Sequence, residues 1–249
     1  MVLGGAWPSV LVLAGTVLLA GGGRRLVRPH PTHALLLEAL GTFQVCACTH
    51  ELRLLADTPP QPYGVLGLAY VLTVLHGLTL VGCTCNPCGT LQHVLGGGLT
   101  ARRGALQLGA QVAGAGLARA YMHSLWGSSS SVAHARALAE GCAHPIRTTG
   151  TQAFCIELLF SAVFQLTLLH IESVRPRLRV HLVALLITLL VYGGGNLTGA
   201  IFNPALAFSL HTNCFHEEFW EYSLVYWIAP LLGTVFVAIV WDEILHLIF

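Results

Sequence analysis

Charge is what this chain lacks. Only 9% of its 249 residues are charged, while 55% are hydrophobic. A soluble domain carries about a quarter charged residues. So little charge cannot cover a water-facing surface, which excludes an ordinary soluble domain. Lysine is absent, and every Lys/Arg position is Arg. The formal net charge of +1 gives no footing for nucleic acid. No Ser-His-Asp, zinc-protease or nucleotide-binding motif appears. An enzyme is therefore not expected, nor is a cofactor or a bound metal. Strict alternation over segments of about 10 residues, the mark of a membrane β-barrel, is also missing.

Long apolar runs are present instead, at 5–22, 34–56, 64–85, 104–126, 150–171, 180–202 and 219–241. Each is near the roughly 20 residues that cross a bilayer core of about 30 Å. In lipid a backbone must satisfy its own polar groups, so these runs read as helices. A cleavable leader has basic residues ahead of its apolar stretch. Here Arg24, Arg25 and Arg28 follow the first run. That order favours a retained helix over a processed leader. Arginine placement also sets orientation. With 34–56 starting in the cytosol, Arg24, Arg25, Arg28, Arg102, Arg103, Arg175, Arg177 and Arg179 are cytosolic. Arg53, Arg136 and Arg147 fall in lumenal loops, and Arg119 lies within a helix.

The chain repeats itself. Glu38 and Thr42 sit four apart on one helix face, as do Glu157 and Ser161. Asn86-Pro87-Cys88 follows the first pair and Asn203-Pro204-Ala205 the second, with Gly82 and Gly199 each four residues ahead of the Asn. Each half holds an odd number of spans, so the second half enters the membrane inverted. Inverted repeats place functional sites at the midplane, where broken helices meet. The boundaries read as an N-terminal hydrophobic helix and basic link at 1–28, a first repeat at 29–126, a lumenal loop at 127–149 and a second repeat at 150–249.

After each Asn-Pro comes a run too short to span, at 88–95 and 205–211. A helix of 8–10 residues is about 12–15 Å long, so two end to end match the hydrocarbon core. Pro suits a first helical turn, and Asn is a good N-cap. Each triplet thus starts a half-helix dipping in from one side. A helix N-terminus carries roughly half a positive charge. Two aimed at one point repel cations, while the Asn amides donate to neutral oxygens. Glu38 and Glu157, costly in a membrane, are expected to hold the re-entrant loops by their N–H groups.

Paired Asn-Pro triplets on inverted repeats, each behind a Glu-bearing helix, resemble the aquaporin (major intrinsic protein) family over residues 34–245. The matching stretches are Glu38-x-x-x-Thr42, Cys85-Asn86-Pro87-Cys88-Gly89-Thr90, Glu157-x-x-x-Ser161, Thr198-Gly199-Ala200-x-x-Asn203-Pro204-Ala205 and Tyr226-Trp227-x-x-Pro230-x-x-Gly233. The resemblance implies an all-α membrane protein. Its fold is a right-handed bundle of six transmembrane helices plus two re-entrant half-helices, with an additional N-terminal hydrophobic helix. Cys88 in place of Ala resembles the unorthodox, intracellular branch. That branch implies a homotetramer in the endoplasmic reticulum membrane, with cytoplasmic vesicle and plasma membrane as further sites. It implies water, glycerol and hydrogen peroxide as solutes. Orthodox members carry Arg directly after the second triplet; here that position is Leu206. The other constriction positions fall near Leu66, Val191 and Ala200. A ring of four apolar residues is expected to favour solutes larger and less polar than water.

Cys83, Cys85 and Cys88 form a C-x-C-x-x-C cluster, read as a metal or redox site or, preferably, as small residues that let the loop pack. Cys142 and Cys214 fall in predicted lumenal loops, where disulfides form. Cys214 offers an intermolecular bridge linking dimers, or a free thiol. His76 and His181 either line a vestibule or simply hydrogen-bond. Asn196-Leu197-Thr198 matches a glycosylation sequon, but it ends a membrane helix, which argues against an acceptor. Gly109, Ala113 and Gly116 offer close helix packing, and Ser128 to Ser131 read as flexible loop. A passive channel is the leading function. The alternative is a structural or scaffolding membrane protein of the endoplasmic reticulum with little flux. An ion channel is disfavoured because no ring of charges lines the pore.

Overall fold

The computed structural model describes residues 7–27, 33–56, 62–139, 145–214 and 218–243. Arg28 and Cys142 lie outside the described residues. The elements are α1 (Trp7–Leu26), α2 (Ala34–Ala56), α3 (Pro62–Thr79), α4 (Pro87–Leu95), α5 (Ala101–Ser128) and α6 (Val132–Ala139). There follow α7 (Gly150–His170), α8 (Pro176–Gly194), α9 (Pro204–His211), α10 (Phe219–Ser223) and α11 (Ala229–Glu243). Among the described residues there is no strand. A π turn at Leu224–Ile228 joins α10 to α11. It lies just ahead of Pro230, which has no N–H for the Tyr226 carbonyl and whose ring crowds it.

Two halves repeat one order: two long helices, a short one, then a long one. In the first half these are α2, α3, α4 and α5; in the second they are α7, α8, α9 and the continuous α10–α11. The short helices cross over. α4 packs against α11 as well as α5, and α9 packs against α5 and α2. α1 lies along α2.

Length and hydropathy alone mark α1, α7, α8 and 219–241 as membrane-crossing. α2 and α5 are long enough, at 23 and 28 residues, but they carry polar groups turned inward. Glu38, Gln44, His50, Glu51 and Gln111 are all buried. The outer faces are apolar: Leu178, Leu182, Leu185 and Leu189 of α8 and Leu232, Phe236 and Ile239 of α11 are exposed. The bundle is thus polar inside and greasy outside, the pattern that lipid demands.

The halves match down to single contacts. A Cβ on Gly114 of α5 would collide with the carbonyl oxygen of Ala39, and one on Gly233 of α11 with that of Leu158. Ala39 and Leu158 each follow the membrane Glu of their half. This corrects the expected packing residues. Gly109 has open space around it, Gly116 meets only the Phe208 ring edge at 3.8 Å, and Ala113 is exposed. Those positions lie on a neighbouring face of α5.

The stretch after α5 is also not the loose loop expected. Ser128 closes α5, and α6 folds back so that His134 is buried. The Glu51 carboxylate joins His134 Nε2 at 2.8 Å and accepts the Trp126 indole N–H at 2.8 Å. Ser129 Oγ meets the other His134 nitrogen at 2.8 Å.

Candidate functional site at the meeting of two half-helices

Both half-helices begin alike. Asn86 and Asn203 stand as N-caps in extended backbone, φ −148° and −142°, each followed by Pro. Asn86 Oδ1 accepts the Cys88 N–H at 2.9 Å. Asn203 Oδ1 accepts those of Ala205 at 3.1 Å and Leu206 at 3.3 Å. Each cap thereby satisfies donors that the first turn leaves free.

The amide nitrogens cross between the halves. Asn86 Nδ2 donates to the Phe202 carbonyl at 3.2 Å, and Asn203 Nδ2 to the Cys85 carbonyl at 2.9 Å. Each Asn thus grips the residue just ahead of the other. The two N-termini face one another in the interior. Asn86 and Asn203 are buried, at 7% and 8% exposed. The crossed bond uses one of the two N–H groups of each amide.

The loops leading in are strained at two matching places, and the second also at Ala200, with φ of +48°. Gly82 and Gly199 have φ of +81° and +82°, and Cys85 and Phe202 have φ of +55° and +33°. Such backbone costs a side-chain-bearing residue about 1–3 kcal/mol and persists only where surroundings hold it. The two glutamates hold it. Glu38 accepts the Cys85 N–H at 2.6 Å, the Thr84 N–H at 3.1 Å and the Gln111 amide at 2.7 Å. Glu157 accepts the Phe202 N–H at 2.6 Å, the Ile201 N–H at 3.1 Å and the Thr198 hydroxyl at 2.6 Å. Tyr226 closes the second loop by donating to the Thr198 carbonyl at 2.7 Å.

Residues 63–241 match the profile of the major intrinsic protein family. The chain belongs to that family. It is 45% identical to Aquaporin-11 of Equus caballus over 228 residues, 91% of this chain and 84% of that protein. It is 44% identical to Aquaporin-11 of Homo sapiens over 232 residues, 91% of this chain and 86% of that one. Aquaporin-12 of Mus musculus is 34% identical over 204 residues, covering 79% and 70%. The fold also matches the X-ray structure of the aquaglyceroporin from Plasmodium falciparum, with a TM-score of 0.62 at 17% identity, over 96% and 98% of the two chains. This member of the family is a multi-pass membrane channel for water or small solutes, not an enzyme.

Other residues singled out in the sequence fall as follows. Val191 and Ala200 join one apolar cluster with Leu190 and Phe202. Leu206 packs against the cluster of Cys46, Ala47 and Ala205. Leu66 is half-buried on α3. Cys88 is fully buried, its thiol beside Ser161 and Thr234. Cys83 and Cys85 pack elsewhere, over Gly41, where a Cβ would meet the Cys85 sulfur at 2.9 Å and the Cys83 sulfur at 3.3 Å. His181 Nδ1 and the Tyr70 hydroxyl are 2.8 Å apart, and His76 is half-buried. Cys214 corrects an expectation: it is buried and disulfide-bonded within the single chain. No thiol is left there for a bridge between copies.

Three arginines matter more than their sequence positions announce. Arg24 of α1 donates to the Leu37 carbonyl at 2.9 Å and to the Cys83 sulfur at 2.8 Å, tying the extra helix to the first loop. Arg119 donates to the Ser209 carbonyl at 3.3 Å and to the Asn213 side chain. Arg53 reaches from the last turn of α2 to His211, with 3.1 Å between Nη1 and Nε2.

Proposed function

We propose that the protein passively conducts water and small neutral solutes, glycerol and hydrogen peroxide among them, through a pore centred on Asn86 and Asn203. The crossed pair of Asn bonds carries this reading. It puts two helix N-termini, each worth roughly half a positive charge, at one interior point. A cation there meets two positive ends in a low-dielectric setting. A neutral hydroxyl meets the second N–H of each Asn amide and is guided past. Cys88 turns away from that point, so the altered first triplet leaves the asparagines free to act.

The apolar positions Leu66, Val191, Ala200 and Leu206 serve as the outer constriction in this reading. They suit glycerol and peroxide at least as well as water. The names of the relatives, aquaporin and aquaglyceroporin, supply water and glycerol as first solutes to test. A homotetramer in the endoplasmic reticulum membrane belongs to the same proposal, as do the two inverted repeats at 29–126 and 150–249. The apolar outer faces of α8 and α11 fit lipid and neighbouring copies.

Stopped-flow measurements on proteoliposomes, one solute at a time, test the reading. Flux of glycerol or peroxide well above that of protein-free vesicles is expected, with Asn203→Ala reducing it. Vesicles no leakier than protein-free controls to all three solutes overturn it and favour a scaffolding role.

A further inference from the structure

The second re-entrant loop has a cation beside it that comes from an unexpected helix. Leu206 leaves the first turn of α9 without charge. Arg53, on α2, reaches the second re-entrant loop from the side. Its Nη1 lies 3.0 Å from the place a Cβ on Gly199 would take. Gly199 directly precedes Ala200, which is three residues ahead of Asn203 and belongs to the proposed constriction. The φ of +82° at Gly199 and the closeness of the guanidinium both require glycine there.

The guanidinium is also held in place. Arg only donates and keeps its charge at any physiological pH. In the contact with Arg53, His211 Nε2 must therefore be the acceptor and carry no proton. The His211 ring is itself fixed. It is 5% exposed and stacks on Tyr226, with centroids 5.6 Å apart and planes at 26°. Tyr226 is the residue that ties down the second loop at Thr198. Arg53 is thus braced against the same loop that carries Ala200 and Asn203, while its own side chain is only half-buried. Arg147 meets the second loop at Leu197 by its backbone N–H, 2.8 Å from the carbonyl, and Arg119 points at oxygens past the end of α9, at Ser209 and Asn213. It answers the negative end of that half-helix rather than the constriction.

We propose that Arg53 supplies the fixed positive charge of the outer constriction that position 206 lacks, and is the residue that rejects cations there. This rests on the pore reading above. It separates two properties that a single arginine on α9 would combine. The charge comes from α2, while the 206 side of the ring stays apolar. The opening then admits bulkier neutral solutes and still repels sodium or methylammonium.

The test uses the full chain in proteoliposomes, with glycerol, sodium and methylammonium as probes. Arg53→Met is expected to raise the leak of both cations at least about tenfold, as loss of one unit charge a few ångströms from the path implies. The readout is the ratio of cation leak to glycerol flux in the same vesicles, so a change in glycerol flux itself does not mask the loss of exclusion. Arg53→Lys should restore exclusion, and so should Leu206→Arg added to Arg53→Met. If Arg53→Met does not assemble, Arg53→Gln, which keeps a donor for His211, takes its place. Unchanged cation leak in a variant that still conducts glycerol overturns the assignment of Arg53. A wild-type chain that conducts no neutral solute overturns the pore reading instead.

Discussion

The two re-entrant loops have the same skeleton and different clamps. Both put a glycine with φ near +80° four residues ahead of the asparagine and a strained residue directly ahead of it. Both hang from a buried glutamate by a 2.6 Å N–H bond. Beyond that they diverge. The first loop is held by Gln107 at Thr84 and the Arg24 guanidinium of α1 at Cys83, while Gln111 braces Glu38. The second is held by the Thr198 hydroxyl, Tyr226 and the nearby Arg53. The shared part sets where the asparagines stand. The divergent part decides what surrounds each mouth. Symmetry thus belongs to the meeting point of the two asparagines, and the proposed selectivity to the parts that break it.

Removing a glutamate is the harshest way to break this comparison. Glu157→Ala would strand the Phe202 and Ile201 N–H groups and the Thr198 hydroxyl. Each buried orphan costs about 1–3 kcal/mol, so the folded state should lose at least about 3 kcal/mol together with all flux. Glu38→Ala strands the Thr84 and Cys85 N–H groups, but the Gln111 amide keeps a second acceptor in Thr90 at 2.9 Å. It should therefore be the milder of the two. Thermal unfolding in detergent ranks them. A wild-type-like Glu157→Ala would show that the loops stand without their anchors.

The next largest effect falls on the paired glycines. Gly114→Ala and Gly233→Ala each drive a methyl into a backbone carbonyl, at a cost of about 1–3 kcal/mol. Gly109→Ala, where space is open, should be neutral or slightly stabilising, because Ala is the better helix former. Melting temperatures of the three variants check the order. A Gly109→Ala variant as unstable as Gly114→Ala would mean that α5 turns another face to α2.

Much of this was legible in the sequence, for a reason specific to repeats. Glu38 and Glu157, and Asn86 and Asn203, mark the same places twice, and coincidence rarely repeats a spacing. The helices of the bundle follow from apolar runs that lipid requires. What escaped reading depends on the backbone or on distance. The partners of the two asparagine amides are the carbonyls of Cys85 and Phe202, and a carbonyl has no signature in sequence. Small residues on α5 announced a close approach, yet the face at 109, 113 and 116 lies next to the one that meets Ala39. α6 is only 8 residues long, too short for hydropathy, and it is held by His134 finding Glu51 across 83 positions. Arg53 read as a loop residue because its partner, His211, belongs to the other half of the chain.

Position 206 sharpens the contrast between the mouths. Leu206→Arg adds a long, charged side chain to the proposed ring, to which the proposal above already assigns Arg53. The glycerol-to-water permeability ratio should fall severalfold, with glycerol losing more because it needs the wider opening. Proteoliposome swelling with each solute measures both. An unchanged ratio would mean that Leu206 does not border the path.

The smallest effect is expected where the two triplets differ by one atom group. Cys88→Ala makes the first triplet match the second. Cys88 is fully buried, and its thiol sits between Ser161 of α7 and Thr234 of α11. On the other side of the pseudo-twofold, Ala205 is equally buried, against Cys46 and Ala47. The Cys thus fills a gap between helices rather than the path of a solute. Deleting one sulfur leaves a void of methyl size, worth about 1 kcal/mol. The Ser161 and Thr234 hydroxyls keep the Pro230 carbonyl as acceptor, at 2.8 Å and 3.0 Å, so no polar group is orphaned. Cys88→Ala should therefore lower the melting temperature by a few degrees and leave water and glycerol permeability unchanged. A variant whose solute preference shifted would place the thiol in the conduction path. The unequal triplets would then be a selectivity device rather than a packing choice.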